Sequence, residues 1–164
     1  QPQTWLRGPS GQSAAWAGEQ GMDYAYAQFF TGRQDTGIMD HYRAHLSDGF
    51  PGRTLSAVCV SAAPTRQEAL EQSLMAANFR VSLGTGRPVT FVTASQMDAE
   101  TRSLLTSYVL SNEDTIFVGD YDEVADKLTA FQDAHHVDEL MLISYIDNVQ
   151  TKVERYRQLA KRLI

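Results

Sequence analysis

The segment best suited to binding chemistry is Gly8-Pro9-Ser10-Gly11-Gln12-Ser13, which lies between an apolar run at residues 4–6 and a stretch of helical character. Glycines let the backbone approach a ligand closely, serine hydroxyls donate to phosphate oxygens, and a helix N-terminus presents unpaired N–H groups. The segment therefore predicts a phosphate-holding turn or, alternatively, an ordinary capped turn, because Gly, Pro and Ser are also common between elements. Its spacing excludes a P-loop and a Rossmann fingerprint.

The remaining reactive side chains predict no catalytic constellation and no metal site. His41 and His45 stand at i, i+4 but lack the glutamate of H-E-x-x-H and a third ligand, so an exposed helix face is expected. His135 and His136 are adjacent and point in different directions on a helix. Cys59 lies inside an apolar strand and is expected to be a small buried hydrophobic residue. The catalytic residues therefore remain unassigned by sequence.

Composition predicts one globular domain over residues 1–164. The chain has 14 basic and 20 acidic residues, a net charge of −6, and 43% hydrophobic residues. The acidic balance argues against a nucleic-acid partner, and no apolar run approaches the ~20 residues that span a bilayer. A single cysteine favours a reducing compartment, so a cytoplasmic location is expected. The chain starts at Gln1 rather than Met, which raises the expectation of a fragment.

The alternation of short apolar runs with longer helical stretches predicts an α/β protein with four consecutive βα units. Such units need parallel strands with crossover helices. Thr65 and Glu68 predict a capped helix start, and Asp120 predicts another. Residues 85–115 are expected to form an irregular insertion, with a short helix at 99–110. The strands are predicted at residues 4–6, 24–30, 55–60 and 140–144.

The stretch from Trp5 to Ala27 resembles the bacterial luciferase-like flavin-dependent monooxygenases. That family carries W-L-L-G-S-S-G-x-S-A, followed at the same spacing by A-A-x-L-G-L-P-Y-A-F-A. Residues 118–128 resemble its V-G-S-P-E-E-V-x-x-x-L segment, and residues 155–160 resemble its closing helix. The resemblance covers nearly the whole chain and is weak at residues 85–112.

The sequence also departs from the family pattern at three positions of the first match. Pro9 replaces a serine, which removes one hydroxyl and one backbone donor. Arg7 stands where the family has leucine, and Asp23 stands where it has proline. These departures reduce the donors available to a phosphate and place charges where apolar residues are expected.

The resemblance implies the C-terminal half of a (β/α)₈ barrel, strands five to eight, because 164 residues are too few for all eight units. It implies that Ser10 and Ser13 donate hydroxyls to the phosphate of FMN and that Gly11 gives access to the backbone. Gln28 is expected at the end of the second strand, near the flavin ring. A deazaflavin is the alternative cofactor.

The function implied for the whole enzyme is oxidation of a small organic substrate by O₂ and reduced flavin, which a reductase supplies. The chain alone is expected to be inactive and to pair with a missing N-terminal half-barrel or with a second copy, as in a dimer. The alternatives are a non-catalytic flavin- or phosphate-binding remnant, a structural partner half-barrel, and a truncated product. No membrane partner is expected.

Overall fold

A computed structural model describes residues 3–32 and 37–164, which contain five strands and seven α-helices. The elements are, in chain order, β1 (Trp5–Gly8), α1 (Gly11–Glu19), β2 (Asp23–Tyr26), α2 (Gln28–Thr31), α3 (Ile38–Ala44), β3 (Thr54–Ala63), α4 (Arg66–Gly84), a 3₁₀ helix (Ala94–Gln96), α5 (Ala99–Leu110), β4 (Ile116–Asp120), α6 (Tyr121–His135), β5 (Glu139–Ile143) and α7 (Val149–Leu163).

The pairs β1–β2, β2–β3 and β3–β4 are parallel, which confirms the predicted α/β class. β1 runs beside β2 with Trp5 opposite Asp23, and β2 runs beside the first residues of β3. The last five residues of β3 pair with β4, from Cys59 opposite Ile116 onward. β5 also pairs with β3.

The prediction of four strands differs from the observed five. The strand missing from the prediction is β4, where Ile116-Phe117-Val118 is a short apolar run directly before a helix cap. Its pairing with β3 stabilises an extended conformation that so short a run does not indicate by itself. The predicted strand over residues 24–30 ends at Tyr26, because residues 28–31 form α2.

The predicted helix starts are confirmed. Thr65 Oγ1 accepts a hydrogen bond from the Glu68 N–H (3.2 Å), and Asp120 Oδ1 accepts one from the Glu123 N–H (2.9 Å). The helix expected at 99–110 within the predicted insertion is α5.

The described residues form two compact units. The first contains the residues up to Val58 and Ala130–Leu142, and the second contains Cys59–Thr129 and Ile143–Ile164. β3 and α6 each contribute residues to both units.

In the first unit, α1 packs against α3 through small side chains. Ala14 and Ala17 are fully buried. At Gly18 a Cβ atom would lie 2.7 Å from the His45 carbonyl oxygen, so glycine is needed for this approach of two backbones. Tyr42 of α3 stacks on Tyr24 with 5.6 Å between ring centroids. α1 and the strand beside it are thereby fixed by one aromatic and small-residue core.

In the second unit, β3 is buried along its last residues. Cys59 is 1% exposed, as predicted, and burial raises the pKa of its thiol to about 11. Arg80 of α4 is buried and donates to the Thr115 side-chain oxygen (2.8 Å) and carbonyl oxygen (2.7 Å). This pair of bonds ties the start of β4 to α4.

A network of ion pairs joins elements of the second unit. Arg66 contacts Glu113 and Glu123, and Lys127 lies 2.9 Å from Glu123 and 3.3 Å from Glu113. Burial alone would raise the pKa of both carboxyl groups, but hydrogen bonds from the two cations outweigh it and lower the pKa below the ordinary value. Both glutamates are therefore held in the charged form.

Within the described part of the chain, no helix has the length and apolar character that crossing a membrane requires.

Candidate functional site

The predicted turn lies between the end of β1 and the start of α1, and Ser10 is the N-cap of the helix. The Ser13 N–H donates to Ser10 Oγ (3.3 Å), and the Ser10 N–H donates to Ser13 Oγ (3.3 Å). The Ser13 hydroxyl also donates to the Ser10 carbonyl oxygen (2.7 Å). These bonds form a reciprocal capping box, with serine in place of the usual glutamate at the fourth position.

The donors that remain for a ligand belong to Ser10 and to the helix backbone. The Ser10 hydroxyl accepts the Ser13 N–H, and its own proton faces only a long contact of 3.4 Å to Ser13 Oγ, from which it can turn to a ligand, whereas the Ser13 proton is directed at a carbonyl oxygen. The N–H groups of Gly11 and Gln12 lie in the first turn, where an α-helix offers no acceptor for them. The turn is exposed at Ser10, so these donors are accessible to an anion.

Gly8 allows the helix start to lie directly on the end of β1. A Cβ atom at residue 8 would be 2.1 Å from Ser13 Oγ and 2.3 Å from Ser13 Cβ. The position therefore needs glycine for the close approach of Ser13, whereas the sequence predicted glycine in this turn for the close approach of a ligand.

Tyr24 supports the turn from beneath, and sequence reasoning missed it. Its hydroxyl donates to the Gly8 carbonyl oxygen (2.9 Å) and lies 3.3 Å from Ser13 Oγ and 3.3 Å from the Ser10 carbonyl oxygen. The residue is fully buried on β2, opposite Leu6 of β1. The sequence signal for Tyr24 was the alternation of side chains along the strand. This alternation assigns the side chain to the face toward α1 only when the pairing of β2 with β1 is known.

His41 stands beside the turn, and this placement was also missed. Its ring carbon Cδ2 and nitrogen Nε2 lie 3.5 and 3.7 Å from where a Cβ atom of Gly11 would be. The residue is exposed, as expected, and its ring lies 4.4 Å from that of His45. Among the described residues no three His, Cys, Asp or Glu side chains converge as metal ligands. The imidazole is placed to add a donor, or a positive charge when protonated, near the helix N-terminus.

Gln28 lies next to the end of β2, but as the first residue of α2 and not at the end of a strand as predicted. Its side chain is fully buried. A cavity of about 130 Å³ lies at the carboxyl ends of β1 and β2, lined by Arg7, Gly8, Pro9, Ala27, Phe29 and Phe30. The structure therefore brings Ser10, Gly11 and Ser13 together, and it places Phe29 rather than Gln28 against this cavity.

This donor set fits a phosphate group. It combines a hydroxyl, backbone N–H groups at the N-terminus of a nine-residue helix, and a glycine that leaves space above them. Hydrogen bonds and the helix dipole would stabilise a phosphate placed there. The phosphate-binding roles of Ser10, Gly11 and Ser13 stay predictions, and the hydrogen bonds of Ser13 show that it orients the turn.

The chain is 26% identical to the N-acetyl-S-alkylcysteine monooxygenase of Bacillus subtilis (strain 168) over 168 residues, which cover 99% of this chain and 50% of that protein. The solved structure of apo-MsnO8 matches with a TM-score of 0.71 and 28% identity, over 98% of this chain and 51% of the other. The chain spans about half the length of the curated relatives it matches. No family model matches the sequence.

A third comparison shows the fold alone. The type II Baeyer–Villiger monooxygenase that is the oxygenating constituent of 3,6-diketocamphane monooxygenase, from the CAM plasmid of Pseudomonas putida, was solved in complex with FMN. It matches with a TM-score of 0.61 and 16% identity, over 99% of this chain and 48% of that chain.

Proposed function

We propose that the turn at Gly8–Ser13 binds the phosphate of FMN, as expected from the resemblance of the chain to the luciferase-like flavin-dependent monooxygenases. The enzyme to which it contributes would oxidise a small organic substrate with O₂. The observation that carries this proposal is the exposed N-terminus of α1, where Ser10 and Gly11 leave donors accessible.

The chain's own residues would bind and orient the cofactor. Ser10 would donate its hydroxyl to a phosphate oxygen, and the N–H groups of Gly11 and Gln12 would donate to the same group. Tyr24 and Ser13 would hold the turn in place through the hydrogen bonds described above. When bound, reduced flavin supplies the reaction with O₂, and the protein supplies binding, orientation and exclusion of water.

We propose in addition that the chain forms the C-terminal half of a (β/α)₈ barrel and needs a partner for turnover. A complete barrel takes at least about 200 residues, whereas the chain matches about half of its relatives. The proposed partner is an N-terminal half-barrel, and a second copy of the chain is the alternative. Sedimentation of the chain at several concentrations, alone and with a co-expressed N-terminal half of a relative, distinguishes the two.

The phosphate assignment is tested by titrating the 164-residue chain with FMN and with riboflavin, which lacks the phosphate. FMN should bind about tenfold more tightly, because charge-assisted hydrogen bonds to phosphate are lost with riboflavin. Ser10→Ala should reduce this preference, and Ser103→Ala, at an exposed serine of α5, should leave it unchanged. Equal affinity for the two flavins would contradict the assignment. If a deazaflavin phosphate binds more tightly than FMN, the deazaflavin is the cofactor instead.

A further inference from the structure

A cleft of about 690 Å³ lies in the second unit at the carboxyl end of β5. Met75, Phe91, Ile143, Tyr145 and Ile146 give it an apolar lining. An adjoining cavity of about 420 Å³ shares Met75, Tyr145 and Ile146 with it. Both volumes fall in the range of about 300–1,000 Å³ that small-molecule sites occupy.

Aromatic rings form one wall of the cleft. The rings of Phe79, Phe91 and Tyr145 are nearly parallel, with interplanar angles of 14–29°. Their centroids are 5.4–6.0 Å apart. Phe91 is 61% exposed although it takes part in this cluster. Burial raises the pKa of Tyr145 to about 12, so its ring stays neutral. The wall therefore offers an accessible, flat and uncharged surface to a ligand.

The segment that carries Phe91 is held in place by hydrogen bonds. The Asn78 side chain donates to the Thr90 carbonyl oxygen (2.8 Å), and the Thr93 N–H donates to the Gln96 side-chain oxygen (2.8 Å). A wall held in this way binds a ligand with a smaller loss of conformational entropy.

One positive charge lines the cleft without an ion pair. Among the described residues, no carboxylate lies within salt-bridge distance of the half-buried Lys152. Asp147 also lines the cleft, but it is exposed and its Oδ1 accepts the Asn148 N–H (2.9 Å). Lys152 lies in the first turn of α7, whose N-cap is Asn148, so the helix dipole adds to its charge.

The other cations near the cleft are already paired. In the adjoining cavity Arg102 contacts Glu71, and Arg155 lies 3.7 Å from Glu68. The charge that remains for a ligand is therefore that of Lys152.

We propose that this cleft binds a flat apolar molecule that carries one anionic group, with the apolar part against Phe91 and Tyr145 and the anion at Lys152. The identification of the cleft as the substrate site of the monooxygenase rests on the proposed function. Binding of a probe to the cleft requires no flavin, so this proposal and the phosphate assignment can fail separately.

The test uses two fluorescent probes that differ by a single anionic group. 1-Anilinonaphthalene-8-sulfonate carries a sulfonate, and N-phenyl-1-naphthylamine is its neutral counterpart. Each is titrated into the 164-residue chain without flavin. Phe91→Ala should weaken both probes about tenfold, and Lys152→Gln should weaken the sulfonate about threefold with less than a twofold effect on the neutral probe. Leu104→Ala removes another side chain that is 61% exposed, outside the cleft, and should change neither affinity.

Near-UV circular dichroism of each variant checks that the fold is retained, which is expected because Phe91 and Leu104 are both exposed. Equal effects of Phe91→Ala and Leu104→Ala would overturn the cleft as the site. Equal effects of Lys152→Gln on the two probes, or no effect on either, would overturn the proposal that Lys152 binds an anionic group of the ligand. FMN titrations of the same variants should match the wild type. If the wild-type chain binds both probes but does not bind FMN, the phosphate assignment alone is rejected.

Discussion

The turn between β1 and α1 and the cleft beside β5 both lie where a strand ends, yet they are assembled differently. The turn places its donors within six consecutive residues, Gly8 to Ser13, and its capping bonds join residues three apart. The cleft takes its lining from α4, the segment around Phe91, the residues after β5 and α7. The geometry of the turn therefore depends on its own short sequence, whereas the geometry of the cleft depends on the packing of every element that lines it.

The two sites also differ in the chemistry they offer. The turn presents hydroxyl and N–H donors at a helix end, and such groups suit a compact, highly charged anion. The cleft presents aromatic surface with the ammonium group of Lys152, which has no carboxylate partner in the described part of the chain, and this suits a larger apolar molecule. This difference is what the two proposals require, with a cofactor phosphate at the turn and a substrate in the cleft.

The largest effect is expected from Gly8→Ala, because the turn tolerates no side chain at this position. A Cβ atom there would lie 2.3 Å from Ser13 Cβ, so the first turn of α1 would have to move and the capping box would open. We expect a loss of about 3 kcal/mol in the free energy of unfolding, measured with urea, and a loss of FMN binding.

Gly84→Ala is the matched control for that substitution. Gly84 ends α4 in the second unit and has no atom within 4 Å of its Cβ position. Alanine there should be neutral or should stabilise by about 0.5 kcal/mol, since it favours the helix. If the two variants lose similar amounts of unfolding free energy, close contact at Gly8 does not distinguish the turn from the solvent-exposed end of α4.

A smaller effect is expected from Tyr24→Phe, which removes the hydroxyl under the turn. The Gly8 carbonyl oxygen keeps the Ala27 N–H as a donor (3.2 Å), so the loss of stability should be about 1 kcal/mol. FMN affinity should fall about threefold as the turn loosens. Riboflavin affinity should not change.

Tyr42→Phe is the control for the loss of a hydroxyl from the same core. The Tyr42 hydroxyl donates to the Met22 carbonyl oxygen at 2.9 Å, away from the turn. A similar loss of stability with unchanged FMN affinity is expected. If both variants weaken FMN binding equally, Tyr24 acts through stability alone and does not position the turn.

Bonds between residues close in the chain could be predicted from the sequence, and contacts between distant residues could not. The caps at Thr65 and Asp120 could be predicted because both partners of each bond lie three residues apart in the chain. The same spacing holds at Ser10, where the sequence predicted either a phosphate-holding turn or an ordinary capped turn. Tyr24 and His41 reach the turn from 11 and 30 residues away in the chain, through strand pairing and the packing of α3 on α1. The local sequence pattern around the turn does not indicate such long-range contacts.

The errors in secondary structure have the same cause. The aromatic run through Gln28 and Phe29 has strand character, but the chain turns into α2 after Tyr26. Ile116-Phe117-Val118 is too short to indicate a strand, and it becomes β4 by pairing with β3. In both places tertiary contacts outweigh local propensity.

The smallest effect concerns pH, because the second unit depends on long-range ion pairs that the turn lacks. The pKa of Glu113 is held below its ordinary value by Arg66 and Lys127. A carboxyl group with a lowered pKa in the folded state stabilises the fold at neutral pH, and this contribution is lost as the pH falls below about 4.5 toward the folded-state pKa. Both partners are partly exposed, so its size should be about 0.5 kcal/mol.

Glu113→Gln isolates this contribution from the other carboxyl groups. The variant should be less stable than the wild type at pH 7, and the difference should shrink as the pH falls toward 3 and the wild-type glutamate takes up a proton. Urea unfolding across this pH range measures it, and FMN affinity at pH 7 should be the same in both proteins. A difference that persisted at pH 3 would show that Glu113 stabilises β4 and α6 by packing rather than by charge. The second unit would then depend on contact in the same way as the turn at Gly8, and the contrast between the two regions would be one of sequence distance alone.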